Sequence, residues 1–223
     1  MIGLFLITLL SGPDVLGKVL VDGEQLFTIE HTETELGDGR VDIHRRTLDA
    51  DGKLAYEVEA RLENGLQRTM KCDHRQRKLK GNVSFEKGRI RFERTNPDGS
   101  VTKDSTTVKG PAMSAPGLVA FMQRDDVWKQ LTDGETVRFT YVSWSRQSTY
   151  GFRLKKSTVK GGRMTVVMQP SAWVIRQVFP DIYYTFSLEN RRLLRYQGQV
   201  SVKKVEADGD LTDITADVYF RYL

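Results

Sequence analysis

Leu54-Ala55-Tyr56-Glu57-Val58-Glu59-Ala60-Arg61-Leu62 is the stretch that decides the fold class. Leu54, Tyr56, Val58, Ala60 and Leu62 alternate with Ala55, Glu57, Glu59 and Arg61. A period of two turns one set toward a core and the other toward water, as in a half-buried strand. Working outward, the alternation recurs at Val137, Phe139 and Tyr141, then at Tyr150, Phe152 and Leu154. It returns at Met164, Val166 and Met168, and at Ile182, Tyr184, Phe186 and Leu188. Two longer runs follow: Leu194, Tyr196, Gly198, Val200 and Val202, then Ile214, Ala216, Val218, Phe220 and Tyr222.

Between the runs stand residues that tolerate positive φ: Asp49-Ala50-Asp51-Gly52, Glu63-Asn64-Gly65, Glu86-Lys87-Gly88, Asn96-Pro97-Asp98-Gly99, Lys160-Gly161-Gly162 and Ala207-Asp208-Gly209-Asp210. Strands joined by such short turns must be antiparallel neighbours. The expected fold is therefore all-β and mainly antiparallel, with about a dozen strands in a meander. So many strands do not stay flat, and they curl toward a barrel or split into a sandwich.

One segment departs from this pattern. Residues 110–117 are rich in Gly, Pro and small side chains, and Leu118, Phe121, Met122, Trp128 and Leu131 follow at helical spacing. With Ser114 and Pro116 at its start and Asp133-Gly134 at its end, the spacing predicts a helix near 114–131. Asp125 interrupts the apolar stripe, so the helix is expected to be short or bent. Residues 171–179, stopped by Pro180, read equally well as helix or strand.

The chain's 223 residues suffice for one large β domain, expected over residues 18–223. With 39% hydrophobic and 28% charged residues, neither disorder nor a multi-span membrane protein is expected. Cys72 is the sole cysteine, which excludes an intrachain disulfide and a multi-cysteine zinc site. The residues 1–10, MIGLFLITLL, form an uncharged apolar run too short to span a bilayer. They fit the apolar core of a secretory signal, with Val15-Leu16-Gly17 as small residues for cleavage, although no basic residue precedes the run. Residues 1–17 are thus expected to be a signal peptide, and the protein to be exported, periplasmic or extracellular. No cysteine follows the run, so a lipid anchor is not expected.

Signals for chemistry are sparse. His31 with Glu33, Asp42 with His44, and Cys72 with His74 are i, i+2 pairs that a strand presents side by side. Such pairs arise by chance on alternating polar faces, and the reading favours surface histidines over a metal site or general base. No nucleophile elbow, phosphate loop or dinucleotide fingerprint occurs, so no catalytic residue, metal ligand or cofactor is assigned. The stretch 68–94 carries ten Lys or Arg against Asp73, Glu86 and Glu93. Its aromatics, Phe85 and Phe92, fall in the apolar phase, so nucleic acid is not the expected partner. A solvated basic edge is the simpler reading. The large aromatics Phe121, Trp128, Trp144 and Trp173, with Tyr183-Tyr184, either fill the core or line a cavity.

Pro116-Gly117-Leu118-Val119, with Asp133-Gly134-Glu135-Thr136-Val137-Arg138-Phe139, resembles the helix-then-strand centre of certain exported bacterial proteins of unknown function. Gln169-Pro170-Ser171-Ala172-Trp173, Pro180-Asp181-Ile182-Tyr183-Tyr184-Thr185-Phe186 and Arg191-Arg192-Leu193-Leu194-Arg195-Tyr196-Gln197-Gly198 resemble their C-terminal half. Those proteins are similar in outline to periplasmic lipoprotein carriers, and the resemblance implies a half-open sheet covered by helices that holds acyl chains. It carries over no catalytic residue.

The function expected is a non-enzymatic exported protein that binds a lipid-like or other amphipathic ligand at the cell envelope. Its expected ligand-binding residues are Phe121, Trp128, Trp144 and Trp173, with Arg191, Arg192 and Arg195 for an anionic head group. An anionic membrane surface or an envelope protein is the other expected partner. The alternatives are a β-barrel enzyme of isomerase or cyclase type and an interaction module of an envelope assembly.

Overall fold

Each alternating run becomes a strand and each positive-φ turn a hairpin, so the chain meanders through one continuous sheet. The computed structural model describes residues 12–172 and 179–223. The first half comprises β1 (Val15–Val21), β2 (Glu24–Gly37), β3 (Arg40–Asp49), β4 (Leu54–Glu63), β5 (Leu66–His74), β6 (Leu79–Glu86), β7 (Arg89–Thr95) and β8 (Val101–Thr107). The short β9 (Ala112–Met113) leads into helices α1 (Ala115–Gln123) and α2 (Asp125–Thr132). The second half continues with β10 (Val137–Ser143), β11 (Ser148–Lys160), β12 (Arg163–Pro170), β13 (Ile182–Ser187), β14 (Leu193–Val205) and β15 (Leu211–Tyr222).

Strands pair with their sequence neighbours, except β8 with β9, and β1 also pairs with β15, so the first and last described strands meet in mid-sheet. All pairs are antiparallel except β9 with β10. The edge strands β8 and β9 do not pair, and the sheet is curled but not closed. Val15, Leu16 and Gly17, expected to end a leader, are the first residues of β1; Val15 lies between Tyr222 and His31.

Curling brings the two halves of the sheet face to face. Trp144, just beyond β10, reaches across to β6 and stacks near Tyr56, with centroids 6.5 Å apart and planes 9° from parallel. It lies directly over Gly81, where a Cβ atom would come within 2.3 Å of the indole. Gly81→Ala must therefore push Trp144 off its seat, at an expected cost of about 1–3 kcal/mol. Urea denaturation and the indole emission spectrum measure this; unchanged stability would mean the two halves do not meet there. Further along, His74 and Gln76 fasten β14 to the β5–β6 turn. His74 Nε2 donates to the Ser201 carbonyl at 3.0 Å, and Gln76 exchanges two hydrogen bonds with the Lys203 backbone at 2.8 and 2.9 Å.

The predicted helix forms as two. Arg124 is extended (φ −56°, ψ 140°), dividing α1 from α2 just before Asp125. Its guanidinium donates to the Asn64 carbonyl at 2.6 Å and pairs with Asp126 at 3.0 Å, clamping the break to the β4–β5 turn. Asp125 and Asp126 occupy the first turn of α2, where the helix dipole favours negative charge. Ser114 precedes α1 but does not cap it with its side chain. Its backbone N–H and hydroxyl both donate to buried Gln67 Oε1 at 2.9 and 2.8 Å, which ties the helix to β5.

In β14 the core phase shifts by one residue. Phe186 pairs with Leu193 while Thr185 pairs with Arg195, and this bulge leaves Leu193 buried where the alternation predicts Leu194. Residues 1–10 and the part of 171–179 that includes Trp173 lie outside the described residues.

Candidate functional site

Two apolar cores fill the space inside the curl. One gathers Phe121, Trp128, Phe139, Phe152, Leu154 and Phe186 beneath the helices. The other gathers Val19, Tyr56, Val58, Met70, Val83 and Val218 around β1 and β4–β6. Where they meet, packing fails over a cavity of about 180 Å³. Val19, Ile29, Val58, Met168, Ile182 and Val218 supply aliphatic walls, and Tyr56, Tyr141, Phe152, Tyr184 and Tyr196 supply aromatic ones. Ala115, Pro116 and Val119 of α1 close one side.

A single charged side chain, Arg45, joins this lining. It shares the inward phase of β3 with Val41, Ile43 and Thr47, and pairs across the strands with His31 and Val58. Arg45 Nε donates to His31 Nδ1 at 3.3 Å. That bond leaves the proton of neutral His31 on Nε2, which donates to Glu33 Oε1 at 2.8 Å. Burial, aided by the Arg45 charge, holds His31 below its ordinary pKa, so it is neutral at pH 7. The bond from His31 holds the Glu33 carboxyl low. Burial also lowers Arg45, though no guanidinium gives up its proton in a protein.

The phenol groups add polar handles. Among the described residues, the hydroxyls of Tyr141 and Tyr184 have no hydrogen-bond partner, yet neither atom is sealed from the cavity. Burial pushes Tyr141 up to about 12 and Tyr184 well above its ordinary value, so both keep their protons as donors. Tyr196 instead donates to the Gln199 carbonyl. Tyr56 donates to Cys72 Sγ at 3.3 Å, and burial raises the Cys72 thiol to about 12. Cys72 is thus the inert buried side chain that its inward phase implies.

The expected site residues that the structure describes lie outside this lining. Phe121 packs against Phe139 at 6.0 Å, and Trp128 meets Phe186 edge-on at 5.6 Å. Trp144 fills the space over Gly81, and Trp173 lies outside the described residues. Arg191 pairs with Asp125 at 2.6 Å and covers the Trp128 ring. Arg192 lies over Tyr222, and Arg195 pairs with Asp217 at 2.6 Å beside Tyr219. Tyr184, one of the aromatics expected to line a cavity, does so. The sequence signal for Arg45 is a charged residue in the apolar phase of a strand, shared with Val41 and Ile43.

The remaining histidine pairs form differently from their sequence neighbourhood. His44 bonds Glu57 at 2.8 Å while Asp42 takes Arg61, and His74 bonds Ser201 rather than Cys72. Among the described residues no three His, Cys, Asp or Glu side chains gather as a metal site needs. A larger hollow of about 430 Å³ runs past Asp42, His44, Glu59 and Arg61 on the outer face. Asp42, His44, Glu59, Arg61 and Lys71 line it, with Asp42 and Arg61 paired, so the smaller, more apolar cavity is the better candidate site. Nine of the ten basic residues of 68–94 are exposed, while Arg94 turns inward and donates to the Ser145 carbonyl at 2.6 Å; Phe85 and Phe92 are buried. No helix among the described residues is long and apolar enough to cross a membrane. No protein-family model matches the chain, and no curated protein does either.

Proposed function

We propose that this protein binds a small hydrophobic or amphipathic molecule at the cell envelope, holding it without transforming it. The observation that carries this reading is the cavity between the two sheet halves, walled by aliphatic and aromatic side chains. Well-packed interiors leave few spaces of this size, and walls that are mostly apolar favour an apolar guest. The titratable groups nearby support holding over chemistry. Both ring nitrogens of His31 are engaged, and the Cys72 thiol is far from ionising at neutral pH. The apolar run at residues 1–10 supports an exported setting. An open curled sheet partly covered by helices accords with the resemblance to lipoprotein carriers, although a fold alone does not confer a function.

Purified protein stripped of copurifying lipid is the material for the test. A ligand at 100 times its Kd should raise Tm by roughly 5–10 °C for a chain this size. A panel of fatty acids, fatty alcohols and small aromatic compounds that produces no shift would sink the proposal.

A further inference from the structure

Arg45 is enclosed by protein yet keeps accessible surface, and that surface faces the cavity. Its Nε is engaged by His31, while neither Nη atom has a hydrogen-bond partner. Among the described residues no carboxylate stands within ion-pair distance of it. Glu33, whose charge favours the guanidinium, bonds His31 instead. A cation in an apolar chamber without a paired anion destabilises the fold. Arg61 meets Asp42 at 2.7 Å, and Arg94, also without a carboxylate among the described residues, donates to the Ser145 carbonyl at 2.6 Å, whereas Arg45 has only His31.

We propose that the cavity takes a monocarboxylate, its head group seated on the Nη fork of Arg45 and its chain among the apolar walls. This rests on the ligand-binding reading above and names the chemistry of the ligand. The fork suits the two oxygens of a carboxylate, which accept two parallel N–H bonds. The free hydroxyls of Tyr141 and Tyr184, on the facing strands, are donors for the remaining lone pairs. Charge selects the monoanion: Arg45 is the sole charged residue of the lining, so a phosphate dianion would leave an unpaired charge in an apolar chamber. Volume selects a short tail. A cavity of about 180 Å³ compares with the ~150 Å³ apolar cavity that holds benzene, which limits the buried tail to roughly six to eight carbons. His31 is a positioning residue; its bond to Nε fixes the plane of the guanidinium so that the fork faces inward.

Calorimetric titration of the wild-type protein with octanoate and with 1-octanol tests the proposal. Octanoate should bind about 10- to 100-fold more tightly, the factor that a charge-assisted hydrogen bond contributes. Arg45→Met, similar in length and uncharged, should abolish that preference, octanoate falling to the affinity of octanol or below it. Equal affinity of wild type for the two probes overturns this inference and leaves the cavity reading standing. Binding of neither overturns both. A preference that survives in a folded Arg45→Met protein assigns the carboxylate to another cation and overturns the role of Arg45.

Discussion

Phe186→Ala is expected to cost about 3–5 kcal/mol. Phe186 is wholly excluded from solvent in β13. Its ring meets Trp128 of α2 edge-on, with planes at 86°, and lies 6.5 Å from the Tyr184 ring beside it. The side chain therefore joins helix to sheet. Removing it cannot be repaired by simple collapse, because α2 is held through Arg124 to the β4–β5 turn and through Arg191 to the loop before β14. The void left behind adds to the lost transfer free energy. Since a domain's whole stability is about 5–15 kcal/mol, the variant should survive with Tm lowered by roughly 6–20 °C. Urea titration followed by circular dichroism gives the value. A loss below about 1 kcal/mol would mean that the helices do not pack on this sheet.

Acidification should weaken the fold in a window set by histidine rather than by carboxylates. His74 is 2% exposed, and its ring is held at a pKa of about 4, chiefly by burial. Its Nδ1 has no partner, so nothing inside welcomes a second proton. The unfolded chain binds that proton near pH 6.5, whereas the folded chain refuses it until about pH 4. Stability is thus complete above pH 6.5, declines as pH falls, and stops declining for this group below about 4. The loss is on the order of 3 kcal/mol. His31, also lowered, has the same sign. Carboxylates held low by their partners, such as Asp42 beside Arg61, lose their contribution only at more acid pH. His74→Gln, which keeps a donor for the Ser201 carbonyl but does not titrate, should flatten the slope between pH 6.5 and 4. An unchanged slope in that variant would show that His74 is not the group responsible.

Much of the architecture was legible because a strand writes its two faces directly into the sequence. The runs at 54–62, 137–141 and 164–168 became β4, β10 and β12 with the expected faces inward. The hairpin turns were legible for the same local reason: Asn64-Gly65 and Gly161-Gly162 adopt the positive φ that their tight turns require. Leu194 was misread because a bulge is invisible to a strict period of two. The helix over 114–131 was legible in extent but not in its break, since Arg124 leaves the helix to reach residues sixty positions earlier.

The candidate site was much less legible. Large aromatics and clustered arginines drew attention, yet the structure employs Phe121 and Trp128 as packing and pairs Arg191 and Arg195 with carboxylates. Arg45 stood in the wrong phase for a charge, and only the packing around it gives that position meaning.

The sequence by itself determined seven of the fifteen described strands, most of their faces, six of their turns and the antiparallel pairing across those turns, because these depend on neighbours within a few residues. The tertiary structure alone decided that β1 lies against β15, that the sheet stays open between β8 and β9, and where the two cores leave room. Those outcomes depend on how side chains from distant strands fill a shared volume. Periodicity carries no information about that volume.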